Sequence, residues 1–170
     1  MFLTRRHLLC AALIGAFSFP AIAAKPLVIG FSQVGAESEW RTANTRSIKE
    51  AAKQQGITLR FADAQQRQEN QVKAIRSFIA QRVDIIAFSP VVESGWETVL
   101  REAKAAKIPV ILTDRAVNVT DASLYATFIG SDFVEEGRKA GRWLIERAKK
   151  TPGKTFNIVE LQGTVGSAPS

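Results

Sequence analysis

Cysteine and histidine are almost absent from this 170-residue chain, which has one of each, Cys10 and His7. No disulfide can therefore form within residues 25–170. Nucleophile–histidine catalysis and most zinc sites are excluded there as well. The phosphate-binding patterns GxxxxGK[ST] and GxGxxG are also missing. We expect no metal and no cofactor, and a binding protein is favoured over an enzyme. Paired carboxylates such as Glu37 and Asp114 leave glycosidase chemistry open.

Long runs of like charge are missing too. The formal net charge is +7, from 23 basic and 16 acidic residues, and without Arg5 and Arg6 it becomes +5. The charges are dispersed along the chain, which is typical of a solvated surface. A nucleic-acid surface would need a basic stripe and a reading module, so we expect no nucleic-acid partner.

The first 24 residues differ in kind from the rest. Arg5 and Arg6 precede an apolar stretch at 8–19, and the small-residue pattern AIA follows at 21–23. This arrangement predicts a secretory signal peptide over 1–24 and export to the periplasm. The apolar stretch is too short to span a bilayer, so we expect no stable membrane insertion. The paired arginines leave Sec and Tat export both open.

From residue 25 onward, short apolar runs alternate with helical patterns. The runs occupy 26–31, 57–62, 83–89, 108–113, 123–130 and 155–161. Several are rich in Val and Ile, which is typical of parallel strands covered on both faces. The first four begin about 25–30 residues apart, the spacing of βαβ units. The pattern predicts an α/β domain with a doubly wound parallel sheet.

The segments between these runs show the 3.6-residue period of amphipathic helices. Three apolar faces are predicted: Val72, Ile75 and Ile79; Trp96, Val99, Leu100 and Ala103; and Gly137, Gly141, Leu144, Ile145 and Ala148. Trp96 and Trp143 are therefore both assigned to the core. Gly56 is expected to end the first helix in a left-handed conformation.

Polar residues follow nearly every predicted strand, at the edge where doubly wound sheets bind ligands. They are Gln33, Glu37, Ser38, Trp40 and Arg41; Asp63, Gln65 and Gln66; Ser89; Asp114 and Arg115; and Ser131 and Asp132. A sugar hydroxyl both donates and accepts hydrogen bonds, so it suits a carboxylate on one side and a guanidinium on the other. An indole can pack against the apolar face of a sugar ring. The pattern indicates a carbohydrate pocket.

Each of these residues also has a purely structural interpretation. Trp40 could be a packing residue, and Asp114 with Arg115 could be a surface ion pair. Asp63 and Ser131 could be helix N-caps. A ligand site is favoured for Trp40, Arg41, Asp114 and Arg115 by their shared position at strand ends.

Five stretches resemble a known family: "FSQVGAESEWRTANTRSIKE" at 31–50, "ADAQQRQENQVKAIRSFIAQRVDIIAFSPVV" at 62–92, "IPVILTDRAV" at 108–117, "IGSDFVEEGRKAGRWL" at 129–144 and "ELQGTVGS" at 160–167. They are similar to the ribose/galactose-type periplasmic sugar-binding proteins, and in particular to the galactofuranose-binding members of ABC importers. The resemblance implies the type I periplasmic binding protein fold, with two Rossmann-like lobes joined by a hinge. It also implies a monosaccharide ligand and a membrane permease as partner.

Matching motifs carry site residues over from the family. The resemblance implies ligand-wall residues Glu37, Ser38, Trp40 and Arg41, the hydroxyl-binding pair Asp114 and Arg115, rim residues Asp63 and Gln65, the hinge crossing at Ser131 and Asp132, and Gly163 and Thr164 after the second lobe's first strand. Glu39 departs from the small residue of the family pattern, which leaves the identity of the sugar open.

The resemblance also implies a division of the chain into a signal peptide at 1–24, an N-terminal sugar-binding lobe at 25–130, and the start of a second lobe at 131–170. Family members are longer, so we expect a C-terminally truncated chain with weak sugar binding and an uncovered apolar face on the helix at 133–149. A LacI-type effector domain is disfavoured by the export signal. A periplasmic receptor for chemotaxis or a sensor kinase stays open.

Overall fold

The computed structural model describes residues 25–170, and the predicted signal peptide lies outside them. Strands and helices alternate along the chain. The order is β1 (Val28–Gln33), α1 (Glu39–Gln54), β2 (Thr58–Asp63), α2 (Gln68–Ala80), β3 (Ile85–Phe88), α3 (Glu97–Ala105), β4 (Val110–Asp114), a 3-10 turn (Ala122–Leu124), β5 (Thr127–Gly130) and α4 (Phe133–Lys149). No helix in this part of the chain has the length and apolar character needed to cross a membrane.

The five strands form one sheet in the order β2-β1-β3-β4-β5, and every neighbouring pair is parallel. In the register, Phe31 lies between Phe61 and Ala87. Because all strands run the same way, their carboxyl ends meet at one edge of the sheet. The order reverses between β1 and β3, which is the switch point where such sheets open a crevice for a ligand.

Helices cover both faces of this sheet, as predicted for a doubly wound fold. Gly30 faces α2, since a Cβ atom at Gly30 would lie 2.5 Å from Cγ of Phe78. Successive strand side chains point to opposite faces, so Gln33 faces the other side. There its Nε2 donates to Asn44 Oδ1 (2.9 Å) and Thr45 Oγ1 (3.1 Å) of α1.

The main hydrophobic core lies between the sheet and the pair α2 and α3. Trp96 is fully buried, with its ring centroid 4.8 Å from that of Phe88, and its indole N–H donates to the Val92 carbonyl oxygen (2.6 Å). Trp96, Val99, Leu100 and Ala103 are all buried, which confirms that predicted face. On α2 the fully buried face includes Gln71 and Ile75, while the predicted Val72 and Ile79 are partly buried.

The end of α1 follows the sequence signal at Gly56. The N–H of Gly56 donates to Lys53 O (3.3 Å) and that of Ile57 to Ala52 O (2.8 Å), with Gly56 at φ +65°. This paired bonding is the Schellman arrangement, in which glycine adopts the left-handed conformation without a Cβ penalty. The predicted helix end is confirmed.

The region from α4 onward departs from two predictions. Trp143 is 64% exposed, so the assignment of Trp143 to the core is wrong. Helix α4 has no buried residue, and its apolar face is uncovered, as the resemblance implied. The strand predicted at 155–161 is not formed. A strand needs a neighbouring strand for its hydrogen bonds, and the described residues supply none there.

The close approach of β1 to α2 yields a stability prediction. Gly30→Ala should lower the free energy of unfolding by about 1–3 kcal/mol, because the added methyl group overlaps the Phe78 ring. Gly137→Ala is the matched control: it lies in α4 with no atom within 4 Å of the new Cβ, so it should stabilise by about 0.5–1 kcal/mol. Urea denaturation followed by circular dichroism measures both. Equal effects of the two substitutions would contradict this packing.

Candidate functional site

The side chain of Arg41 lies at the carboxyl edge of the sheet and is only 5% exposed. Its Nη2 lies 2.6 Å from Asp114 Oδ2, and its Nε donates to Glu37 Oε1 at 3.1 Å. Its Nη1 donates to Gln33 Oε1 (3.4 Å) and Ser89 Oγ (3.3 Å). The acceptors come from the ends of β1, β3 and β4 and from the loop before α1. One guanidinium therefore ties three strand ends together.

The start of α1 aims Arg41 back at the sheet. Ser38 is the N-cap in extended conformation, and its Oγ accepts a hydrogen bond from the backbone N–H of Arg41 (3.2 Å). A hydroxyl N-cap satisfies one of the free N–H groups of the first turn. Glu39 is exposed in that same turn, where a negative charge is favourable. The Glu39 side chain, which departs from the family pattern, is thus exposed to solvent.

Asp114 occupies an unusual backbone conformation at the end of β4. Its φ is +63°, and the N–H of Arg115 donates to the Thr113 carbonyl oxygen at 2.6 Å across it. Such tight turns at a residue other than glycine are strained and recur at functional sites. The turn presents the Asp114 carboxylate, one quarter exposed, to Arg41 and to the hydroxyl of Ser89 (3.3 Å).

Arg115 is the second guanidinium of this cluster, with its side chain 11% exposed. Its Nη1 donates to the Val91 carbonyl oxygen (3.2 Å), and its Nε lies 3.9 Å from Asp114 Oδ2. Burial first, and then the positive charge of Arg41, lower the pKa of Arg115, while Asp114 and Glu37 oppose this effect. The cluster thus places two cations beside carboxylates that solvent still reaches.

Trp40 lies beside this cluster and is 54% exposed. The guanidinium carbon of Arg41 stands 4.8 Å from the centroid of the Trp40 rings, a cation–π contact. Its exposure disagrees with the alternative that Trp40 is a buried packing residue. The exposed part of the indole is an apolar surface next to charged hydrogen-bonding groups.

Asp63 is the last residue of β2, and Gln65 lies in the loop that follows. Asp63 Oδ1 accepts from the Gln65 N–H (2.8 Å), and Gln65 and Gln66 both have positive φ, +53° and +60°. The N–H of Gln66 donates to the Val34 carbonyl oxygen (2.7 Å), which joins this loop to the β1 exit. Asp63 shapes its own turn and is not the N-cap of α2, which is Arg67.

The remaining four candidates lie outside the Arg41 cluster. Asp132, and not Ser131, caps α4, through an Oδ1 that accepts from the Glu135 N–H (2.9 Å). Gly163 and Thr164 are exposed. Near them, the Gly166 carbonyl oxygen accepts from the Glu93 N–H (2.8 Å), which holds this segment beside the loop between β3 and α3.

Two side chains of the cluster belong to the polar strand ends predicted from the sequence, but the family resemblance did not carry them over as ligand residues. Gln33 and Ser89 are fully buried and contact Arg41 directly. The available signal was a polar residue immediately after an apolar strand. No group of three His, Cys, Asp or Glu side chains suited to a metal ion occurs within residues 25–170.

Comparisons with known proteins agree with this fold. Residues 29–170 match the family model described as periplasmic binding protein domain. The galactofuranose-binding protein YtfQ of Escherichia coli (strain K12) is 54% identical over 164 residues, which cover 96% of this chain and 50% of that protein. The chain thus spans half or less of the length of the curated relatives it matches.

Two solved structures are similar in both sequence and fold. A protein from Mycobacterium smegmatis in complex with β-D-fucofuranose is 60% identical, with a TM-score of 0.79 over 84% of this chain and 47% of its own. The periplasmic binding protein component of the arabinose ABC transporter from Shewanella sp. ANA-3, bound to α- and β-L-arabinofuranose, is 58% identical, with a TM-score of 0.76 over 84% and 46%.

Removal of the central cation should be costly. Arg41→Met removes the main partner of Asp114 and Glu37, and loss of one member of a buried pair costs about 3 kcal/mol or more. Arg76→Met is the control, since Arg76 pairs with Glu102 at the surface and exposed pairs contribute under about 1 kcal/mol. Urea denaturation at pH 7 measures the difference. A cost for Arg41→Met no greater than for the control would contradict this account.

The backbone strain at Asp114 can be measured separately from its charge. Asp114→Gly and Asp114→Ala both remove the carboxylate, but only glycine adopts φ +63° without a Cβ penalty. The glycine variant should be about 1 kcal/mol more stable than the alanine variant. Thermal unfolding of both reports the difference. An alanine variant of equal or greater stability would show that the turn is not held in the left-handed region.

Proposed function

The chain belongs to the periplasmic binding protein domain family, and on that premise we propose that it provides the sugar-recognising lobe of the binding component of an ABC importer for furanose sugars. The observation that carries the proposal is the cluster of Arg41, Asp114 and Arg115 at the carboxyl edge of the sheet, beside the exposed indole of Trp40. The proposed partners are a monosaccharide and a membrane permease, and the proposed location is the periplasm.

The cluster has the chemistry that a neutral polyhydroxylated ligand requires. Asp114 and Glu37 are each one quarter exposed, so their oxygens can accept from sugar hydroxyls. Arg115 has donors beyond the one that Val91 occupies. Hydrogen bonds to charged groups contribute about 1.5–3 kcal/mol each. The indole of Trp40 offers an apolar surface for the C–H face of the ring.

The choice of furanose over pyranose sugars rests on the relatives. One binds galactofuranose by its name, and the two solved structures hold fucofuranose and arabinofuranose. These three proteins are 54–60% identical to this chain. We place the signal peptide at 1–24, the sugar-binding lobe at 25–130 and the start of a second lobe at 131–170. On this proposal the sugar is bound without chemical conversion.

The other predicted residues have outer positions in this proposal. Ser38 acts by orienting Arg41, and Asp63 with Gln65 forms the rim on the β2 side. Ser131 and Asp132 form the crossing toward the second lobe, and Gly163 and Thr164 follow in that lobe. Because the candidate residues lie on one side of the proposed sugar site, we expect a dissociation constant of about 1 mM.

The test uses D-galactose labelled with ¹³C at the anomeric carbon, whose furanose and pyranose forms give separate NMR signals. Addition of the protein should broaden the furanose signals and leave the pyranose signals unchanged. Asp114→Asn should weaken the effect about tenfold, because it exchanges a charged acceptor for a neutral one. Arg76→Met should leave it unchanged. Broadening of the pyranose signals alone would contradict the furanose assignment, and no broadening of either would contradict sugar binding.

A further inference from the structure

Gln71 lies on α2 and is fully buried, and its side-chain hydrogen bonds go to no candidate sugar-binding side chain. Its carboxamide bonds instead to the backbone that follows β3. Nε2 donates to the Ser89 carbonyl oxygen at 2.7 Å, and Oε1 accepts from the Val91 N–H at 2.9 Å. Pro90 between them has no N–H to donate. The single side chain of Gln71 thus pairs with the Ser89 carbonyl oxygen and the Val91 N–H, on either side of Pro90, just after the end of β3.

The backbone segment that Gln71 holds supplies contacts to both arginines of the cluster. Ser89 Oγ accepts from Arg41 Nη1 (3.3 Å) and donates to Asp114 Oδ2 (3.3 Å). The Val91 carbonyl oxygen accepts from Arg115 Nη1 (3.2 Å). A shift of this segment would therefore move an acceptor of Arg41 and an acceptor of Arg115 together.

We propose that Gln71 is a positioning residue for sugar recognition, which sets the orientation of Arg41 and Arg115 through the backbone of residues 89–91. This inference rests on the proposed function. The amide is suited to the task because one planar group carries a donor and an acceptor. A leucine would leave two buried backbone groups unpaired, and a charged carboxylate would place a second acceptor against the Ser89 carbonyl oxygen.

Gln71→Glu tests whether residue 71 must supply both a hydrogen-bond donor and an acceptor. A protonated carboxyl donates and accepts in the same places as the amide, whereas the charged form cannot donate to Ser89. Burial raises the pKa of a carboxyl, so the protonated form gains population as the pH falls from 8 to 5.5. The charged groups that face this position across Ser89 and Val91 are Arg41, Asp114 and Arg115, with Glu37 beyond Arg41.

The expected result for Gln71→Glu is a sugar affinity about tenfold weaker than wild type at pH 8, with most of the loss recovered at pH 5.5. Wild type should change little over this range, because its one histidine is His7 and ordinary carboxyl groups titrate below it. Gln71→Leu should be weak at both values. The same affinity for Gln71→Glu and wild type at both pH values would overturn the proposal.

A second measurement needs no sugar. In ¹H–¹⁵N NMR spectra of arginine side chains, Gln71→Leu should shift the Nε signals of both Arg41 and Arg115, and Gln71→Glu should shift them at pH 8 and restore them at pH 5.5. If wild type binds no sugar, the proposed function fails while these shifts still support the positioning role. Unmoved signals in the variants would overturn that role, whether or not sugar binds.

Discussion

A guanidinium buried at the end of a sheet is the constraint on which the rest of this molecule depends. Transfer of a charged group from water costs several kcal/mol, which only well-placed partners offset. For Arg41 the main partner is Asp114, at 2.6 Å, and the others are oxygens of Glu37, Gln33 and Ser89. They lie as much as 81 residues apart in sequence, between positions 33 and 114. Only the sheet order β2-β1-β3-β4-β5, with β1 and β4 on either side of β3, brings them together.

In the proposed function, this arrangement orients the side chains of the cluster before any ligand arrives. The ion pair holds the Asp114 carboxylate in one orientation, the turn at Asp114 presents it at the edge, and the buried Gln71 fixes the segment after β3. Groups that are already oriented lose little entropy on binding, so more of each hydrogen bond appears as affinity. The guanidinium of Arg41 packs over the neighbouring indole of Trp40, which remains 54% exposed to solvent.

Much of the fold could be predicted from the sequence because the apolar pattern is strong and local. The alternation of strands and helices, the cap at Gly56 and the buried face around Trp96 all follow from residue spacing. The site was predictable in outline, since parallel strands bring polar residues at their ends to one edge. Glu37, Trp40, Arg41, Asp114 and Arg115 do meet there.

The misses share one physical cause, which is that burial depends on a partner surface that the local pattern does not reveal. Trp143 and the run at 155–161 have apolar spacing, but no described element packs on the first or pairs with the second. Gln71 is the reverse case. Gln71 lies four residues before Ile75 on a buried helical face, but a polar residue is not expected there from the sequence. Its burial is explained by its hydrogen bonds to the backbone after β3.

Sugar recognition at the Arg41 cluster is tested most directly by a crystal structure of the chain grown with L-arabinose or D-galactose. We expect a furanose ring against the indole of Trp40, with hydroxyl oxygens about 3 Å from the Asp114 carboxylate and the Arg115 guanidinium. A sugar bound away from the carboxyl edge of the sheet, with the Arg41–Asp114 pair uncontacted, would contradict it.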